Sequence, residues 1–241
     1  MTLAQAVETR SFRDLRAFAA AATVPAEVQG DPYLASRAAL DLPQGAVSIS
    51  LVVLPQGRGR VEALPDDEFI ILLEGSLTLE GPGSTVQIAA NQSAVITRGT
   101  PFTWSSREGT RLIAMRRNGS PDAAAAIIPI DESAPLEPSG APLAELLVGP
   151  TPNCRNFTDY RSTDTEFVCG TWDSTPYHRL SMGYRHYELM HLLEGSVTFV
   201  DGAGQEGTFH RGDIFMVEQG AHCSWDSREQ VKKVYAIYRP V

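Results

Sequence analysis

Residues 68–78 read EFIILLEGSLT, and residues 188–198 read ELMHLLEGSVT. Seven of these eleven positions are identical, at an offset of 120. A second pair follows in the same order. GTPFTWSSRE at 99–108 and GAHCSWDSRE at 220–229 share five of ten positions, at an offset of 121. Two matches with nearly equal spacing define an internal duplication, and a fixed period of self-similarity sets the architecture before any other feature is read. The 241 residues therefore hold two domains of one kind, each long enough to bury a core of its own.

Within each copy, short β-rich runs are punctuated by Gly, Pro, Asp and Asn. The first copy offers AVSISLVVL, STVQIA, SAVITRG and TRLIAMRR around its EFIILLEGSLTLE; the second offers TEFVCGTW, DIFMVEQG, HCSWDS and KKVYAIYR around YELMHLLEGSVTFV. Strands at such short intervals, with turn residues between them, predict an all-β sandwich or barrel rather than alternating β/α units. A helix is expected only near the start, where Ser11 is placed to cap FRDLRAFAAAA. The division that follows is a helical segment at 1–23, a first barrel at 24–118, an Ala/Pro-rich linker across the surface at 119–153, and a second barrel at 154–241.

Composition excludes several classes of function. Asp and Glu number 29 against 20 Lys and Arg, a formal charge of −9. Residues 1–120 carry 11 basic and 12 acidic side chains and residues 121–241 carry 9 and 17. Neither half offers the basic face that nucleic acid or an anionic membrane requires. The basic set is 18 Arg and only two Lys, the adjacent Lys232 and Lys233. Three cysteines without CxxC spacing signal neither a disulfide framework nor a zinc knuckle. No run approaches the roughly 18–20 apolar residues of a membrane span, and the charged N-terminal stretch lacks a secretory pattern. A cytoplasmic protein is the expectation. GAGQEG at 202–207 has the spacing of a dinucleotide fingerprint, but it lies between β runs instead of opening a helix, so it reads as a hairpin turn. HYELMH at 186–191 places its histidines five apart, on opposite faces of a strand.

A Glu seven residues before the Gly of a strand–turn (Glu188 and Gly195, Glu68 and Gly75), followed by a second glycine frame (Gly212 and Gly220, with Gly99 in the first copy), resembles the cupins. The stretch from CGTWDSTPYHR through HRGDIFMVEQG to VKKVYAIY is similar to the EutQ-like cupins, a group that also includes the cupin domain of (S)-ureidoglycine aminohydrolase. The resemblance covers residues 165–241 well and 47–117 more loosely. It implies a bicupin, two tandem double-stranded β-helix (RmlC-like jelly-roll) barrels.

The resemblance also implies a metal site, built from two His and a Glu on one strand and a His on the facing strand, a set that suits Mn, Fe, Zn or Ni. The first copy holds no histidine, since all five lie between positions 178 and 222, and Phe102 stands where the last ligand falls. That barrel reads as structural or as an apolar pocket. The second copy keeps Glu188, with Tyr184 and Met182 at the two preceding ligand positions and Cys223 at the last. His186 shares the parity of Glu188 on a regular strand.

Three readings of this set stay open. Glu188, His186 and Cys223 hold one divalent metal; or Glu188 works with His186 in metal-free acid/base catalysis; or Glu188 is a hydrogen-bonded carboxylate in a binding or structural barrel. Tyr184, Met190, Cys223, Trp225 and Trp172 are the candidate ligand-binding residues. His178, His191 and His210 fit no ligand frame and read as surface or packing residues. The leading expectation is a barrel that binds a small polar metabolite. Its alternatives are a metal-dependent hydrolase or isomerase similar to (S)-ureidoglycine aminohydrolase, and a structural or interaction protein with filled barrels.

The outward parity of the duplicated strands is also apolar, with Phe69, Ile71 and Leu73 in one copy and Leu189 and Leu193 in the other. A strand apolar on both faces is covered on both. That predicts a contact between the barrels and, on the same grounds, a homodimer.

Overall fold

Alternation of inward and outward side chains turns these runs into antiparallel strands, and the computed structural model describes them over residues 10–25 and 27–241. Among the described residues they form two barrels, each a large sheet facing a four-stranded one. In the first barrel the large sheet runs in the order Ile127–Pro129, Ser93–Ile96, Asp67–Glu74, Thr110–Arg117, Val47–Leu54, Arg37–Ala39. In the second it runs Phe12–Asp14, Ile214–Val217, Tyr187–Glu194, Val231–Tyr238, Phe167–Ser174, Cys154–Arg161, Glu137–Ser139. The duplicated stretches are the equivalent central strands Asp67–Glu74 and Tyr187–Glu194 with the turns that follow them. Gly75 and Gly195 recur because each turn needs a left-handed backbone (φ 81° and 76°). A Cβ there would also run into a carbonyl oxygen, that of Gly109 or Gln230.

One face of each central strand looks into its own barrel and the other into a shared core. Phe69, Ile71, Ile113 and Met115 of the first barrel pack with Leu189, Met216, Val234 and Ala236 of the second, and Leu73 and Leu193 flank the cluster. The apolar outward parity is thus spent on the contact between the barrels, and a second subunit is not needed to cover it. Polar links cross the same seam. Arg117 reaches Asp164 and Glu166 at 2.6 and 2.7 Å, and the Tyr160 hydroxyl donates to Asp67 at 2.6 Å.

The chain between and before the barrels differs from its sequence reading. Phe12–Asp14 is a strand on the edge of the second barrel, paired with Ile214–Val217, and the helix begins only at Leu15 and ends at Ala21. Asp14, not Ser11, caps it by accepting from the Ala17 amide; Ser11 donates instead to Asp201. The first nine residues of the expected helical segment lie outside the described residues. Residues 119–153 do not only wrap the surface, since Ile127–Pro129 joins the first barrel's sheet and Glu137–Ser139 the second's. Three-residue strands carry too little alternation to be seen in sequence, and their partners are set by which sheet edge is open.

GAGQEG is a turn leading into the strand Glu206–His210, and a Cβ at Gly207 would meet the Phe12 ring. Of the described helices, none is long and apolar enough to cross a membrane.

Candidate functional site

The two barrels treat their equivalent glutamates differently. In the first, Asp31 caps the short helix Pro32–Ala35 and also accepts from the Trp104 indole at 2.8 Å. This seats Tyr33 inside the barrel, fully buried. Its hydroxyl donates to Glu68 at 2.8 Å, Arg37 donates to both Glu68 oxygens at 2.8 and 2.9 Å, and Arg116 adds a bond at 2.9 Å. Burial works to raise the Glu68 pKa, but these cations prevail and hold it down to about 2. The carboxylate is saturated by the protein, so the first barrel is filled by its own side chains at this point.

In the second barrel Glu188 and Met190 share one face of the strand Tyr187–Glu194. Tyr184 and His186 come not from that strand, as a regular strand would have placed them, but from the irregular connection before it. Lys233 arrives from the neighbouring strand Val231–Tyr238 beside Trp172. The Lys233 ammonium donates to Glu188 Oε1 at 2.7 Å and to the Met190 sulfur at 3.2 Å. It also lies 4.7 Å from the centre of the Trp172 ring and 5.1 Å from that of Trp225. His186 Nε2 is 3.2 Å from Glu188 Oε2. An ionised carboxylate only accepts, so His186 donates from Nε2. Glu188 is 8% exposed and Lys233 6%. Burial pushes the Glu188 pKa up, yet Lys233 and His186 hold it well below the ordinary carboxylate range.

Above this pair opens a cavity of about 670 Å³, lined by Trp172, Tyr177, Arg179, Tyr184, His186, Glu188, Trp225 and Lys233 among others. The Tyr177 ring stacks on Trp225 at 5.5 Å, and Trp225 meets Trp172 edge-on at 6.0 Å. Thr158 and Tyr235, which also line the cavity, share a hydrogen bond of 3.1 Å. An aromatic wall with a few convergent polar groups is the usual make-up of a small-molecule site.

The structure brings together Tyr184, His186, Glu188, Trp172 and Trp225 at this cavity, with Met190 beneath it as the acceptor for Lys233. Cys223 is not among the lining residues. It is fully buried in the core cluster of the barrel, packed away from the cavity, and burial pushes its thiol up to about 11. Among the described residues no group of three or more His, Cys, Asp and Glu side chains is arranged to hold a metal ion. The site does not fit a divalent cation: the cation that Glu188 meets is the protein's own lysine, and Tyr184 and Met182 supply neither imidazole nor carboxylate.

Sequence reading missed Lys233, Arg179 and Tyr177. The first left a trace, since an arginine-rich chain spends its two lysines side by side on a strand whose alternation turns Lys233 and Tyr235 inward. Of the remaining histidines, His210 and His222 are exposed, whereas His191 is buried between the barrels, where burial lowers its pKa to about 4.

A family model described as EutQ-like cupin domain matches residues 161–235. A protein of unknown function from Pseudomonas syringae pv. tomato, of the DUF861 family, is 30% identical, with a TM-score of 0.80 over 91% of this chain and 96% of that one. Salicylate 1,2-dioxygenase from Pseudaminobacter salicylatoxidans is 13% identical (TM-score 0.56, 99% and 87% covered). Oxalate decarboxylase from Lactobacillus farciminis is 10% identical (TM-score 0.53, 98% and 88% covered). These last two share the fold. No curated protein matches the chain.

Proposed function

Because the chain belongs to the cupin family, a fold that hosts many chemistries, we propose that it is a bicupin whose second barrel binds a small polar metabolite without a metal. The observation that carries this reading is the contrast between the two glutamates. Glu68 is sealed beneath Tyr33 by two arginines, whereas Glu188 and Lys233 form the floor of an open, aromatic-walled cavity. A buried ion pair at the bottom of a cavity offers both a donor and an acceptor to a polar ligand, and the indole and phenol rings offer it flat apolar surface. The hydrolase activity suggested by resemblance to (S)-ureidoglycine aminohydrolase calls for a ligand set that this barrel does not carry, so binding is the reading favoured here.

A thermal-shift screen of small polar metabolites tests it. Compounds that raise the melting temperature of the wild-type protein should lose most of that effect in Glu188→Gln and in Trp172→Ala, each compared with its own ligand-free baseline. Stabilisation that persists unchanged in both variants would refute the second barrel as the site.

A further inference from the structure

The cavity holds a second buried cation that no carboxylate among the described residues neutralises. Arg179 is 4% exposed and lines the cavity. Its guanidinium donates to the Leu180 carbonyl at 3.2 Å and to the Tyr184 hydroxyl at 3.0 Å, and lies 5.5 Å from the centre of the Tyr184 ring. Both acceptors are neutral, and among the described residues no carboxylate pairs with Arg179. A guanidinium carries five N–H donors in a rigid fork, so these two bonds leave most of it uncommitted. Burying such a charge without a counter-ion is costly.

The other charges of the cavity do not supply that counter-ion. Glu188 is engaged by Lys233 and His186. At the rim Glu166 faces Arg117 at 2.7 Å, and the rim also carries Arg161 and Arg239. The buried groups therefore sum to a positive field inside a chain of formal charge −9. The first barrel shows the contrast: there both inward arginines, Arg37 and Arg116, are used on Glu68.

We propose that the ligand of the second barrel is a small organic carboxylate with a flat body. Its carboxylate is anchored by Arg179 beside Tyr184, and its body lies against Trp172, Trp225 and Tyr177. This deepens the binding reading above and rests on it. The guanidinium fork matches a carboxylate with two parallel hydrogen bonds, a geometry that a lysine does not reproduce.

Calorimetric titration with three probes of one shape tests the proposal: benzoate, benzamide and benzamidine, which are anionic, neutral and cationic. The expected result for the wild-type protein is benzoate binding at least about tenfold tighter than benzamide, as the loss of a charge-assisted hydrogen bond implies, with benzamidine weakest. Arg179→Met should reduce benzoate to the level of benzamide. Arg179→Lys, which keeps the charge but not the fork, should fall between and provides the comparison if the methionine variant does not fold. Equal binding of benzoate and benzamide to the wild type, or undiminished benzoate binding in the variants, overturns the anchor while leaving the pocket reading intact. Failure of benzoate to bind the wild type also overturns it, and the metabolite screen then decides the pocket reading by itself.

Discussion

Replacing Lys233 by Met removes the ammonium that holds Glu188 at 2.7 Å and that sits against the Trp172 and Trp225 rings. The aliphatic stem is kept, so the change is chiefly one of charge. Glu188, 8% exposed, is left with only His186. Breaking a buried pair from one side costs about 3–5 kcal/mol. In a chain of this size each kcal/mol moves the melting temperature by about 2–4 °C, so a fall of about 6–20 °C is expected near neutral pH. The pH dependence gives a second signature. In the wild type the folded pKa of Glu188 lies below its unfolded value, so its contribution to stability is complete above the unfolded pKa and drains away in acid. Without Lys233, burial dominates and raises the folded pKa, so stability is lost as pH rises through it. The gap between wild type and variant should be narrow at about pH 4 and wide at about pH 8. Denaturant titrations across that range measure it, and adding Glu188→Gln to the variant should recover much of the loss. A deficit under about 1 kcal/mol that does not change with pH is the behaviour of a solvent-exposed pair, and would refute the buried ion pair.

The first barrel has its own acid limb. With the Glu68 pKa held to about 2, stability from this group is full above the ordinary carboxylate value of 4.5 and falls away toward pH 2. Glu68→Gln should flatten that limb in acid-unfolding curves and lower stability at neutral pH, where two arginines lose their partner. Leu189→Ala, in the core between the barrels, is expected to cost about 2–5 kcal/mol in urea denaturation, and to leave the binding of any second-barrel ligand unchanged. Gly195→Ala places a Cβ against the Gln230 carbonyl at a left-handed φ, whereas Gly204→Ala meets open space at a similar φ. The first should lower the melting temperature clearly more than the second.

The all-β class and the duplication were legible because the repeated strands and turns are under backbone constraint. Gly75 and Gly195 have no alternative residue, and Glu68 and Glu188 sit at one register position of one strand type. The apolar contact between the barrels was legible from Phe69, Ile71 and Leu189, whose parity is apolar on the face away from the barrel interior. The short edge strands were not, because Phe12–Asp14 and Ile127–Pro129 owe their pairing to distant sheet edges rather than to their own pattern. At the site, Glu188 and Met190 follow from alternation along one strand, whereas Tyr184 and His186 lie in the irregular connection just before it and reach the same cavity without being part of that strand. Lys233 and Arg179 come from other strands, Val231–Tyr238 and Tyr177–Gly183, and local spacing holds no record of which side chains a distant stretch of chain brings to Glu188 or to the cavity. Cys223 shows the opposite limit: it occupies a recognisable frame position, yet a buried thiol within the core cluster is packing material.

The central claim is that the second barrel carries its cation in Lys233 and binds an organic ligand without a metal. Elemental analysis by plasma mass spectrometry tests it most directly, on untagged protein purified with and without added Mn, Fe, Ni and Zn. The account predicts far less than one equivalent of any of these metals, in wild type and in Glu188→Gln alike. Near one equivalent in the wild type, lost on Glu188→Gln, would contradict it and make Glu188 a metal ligand.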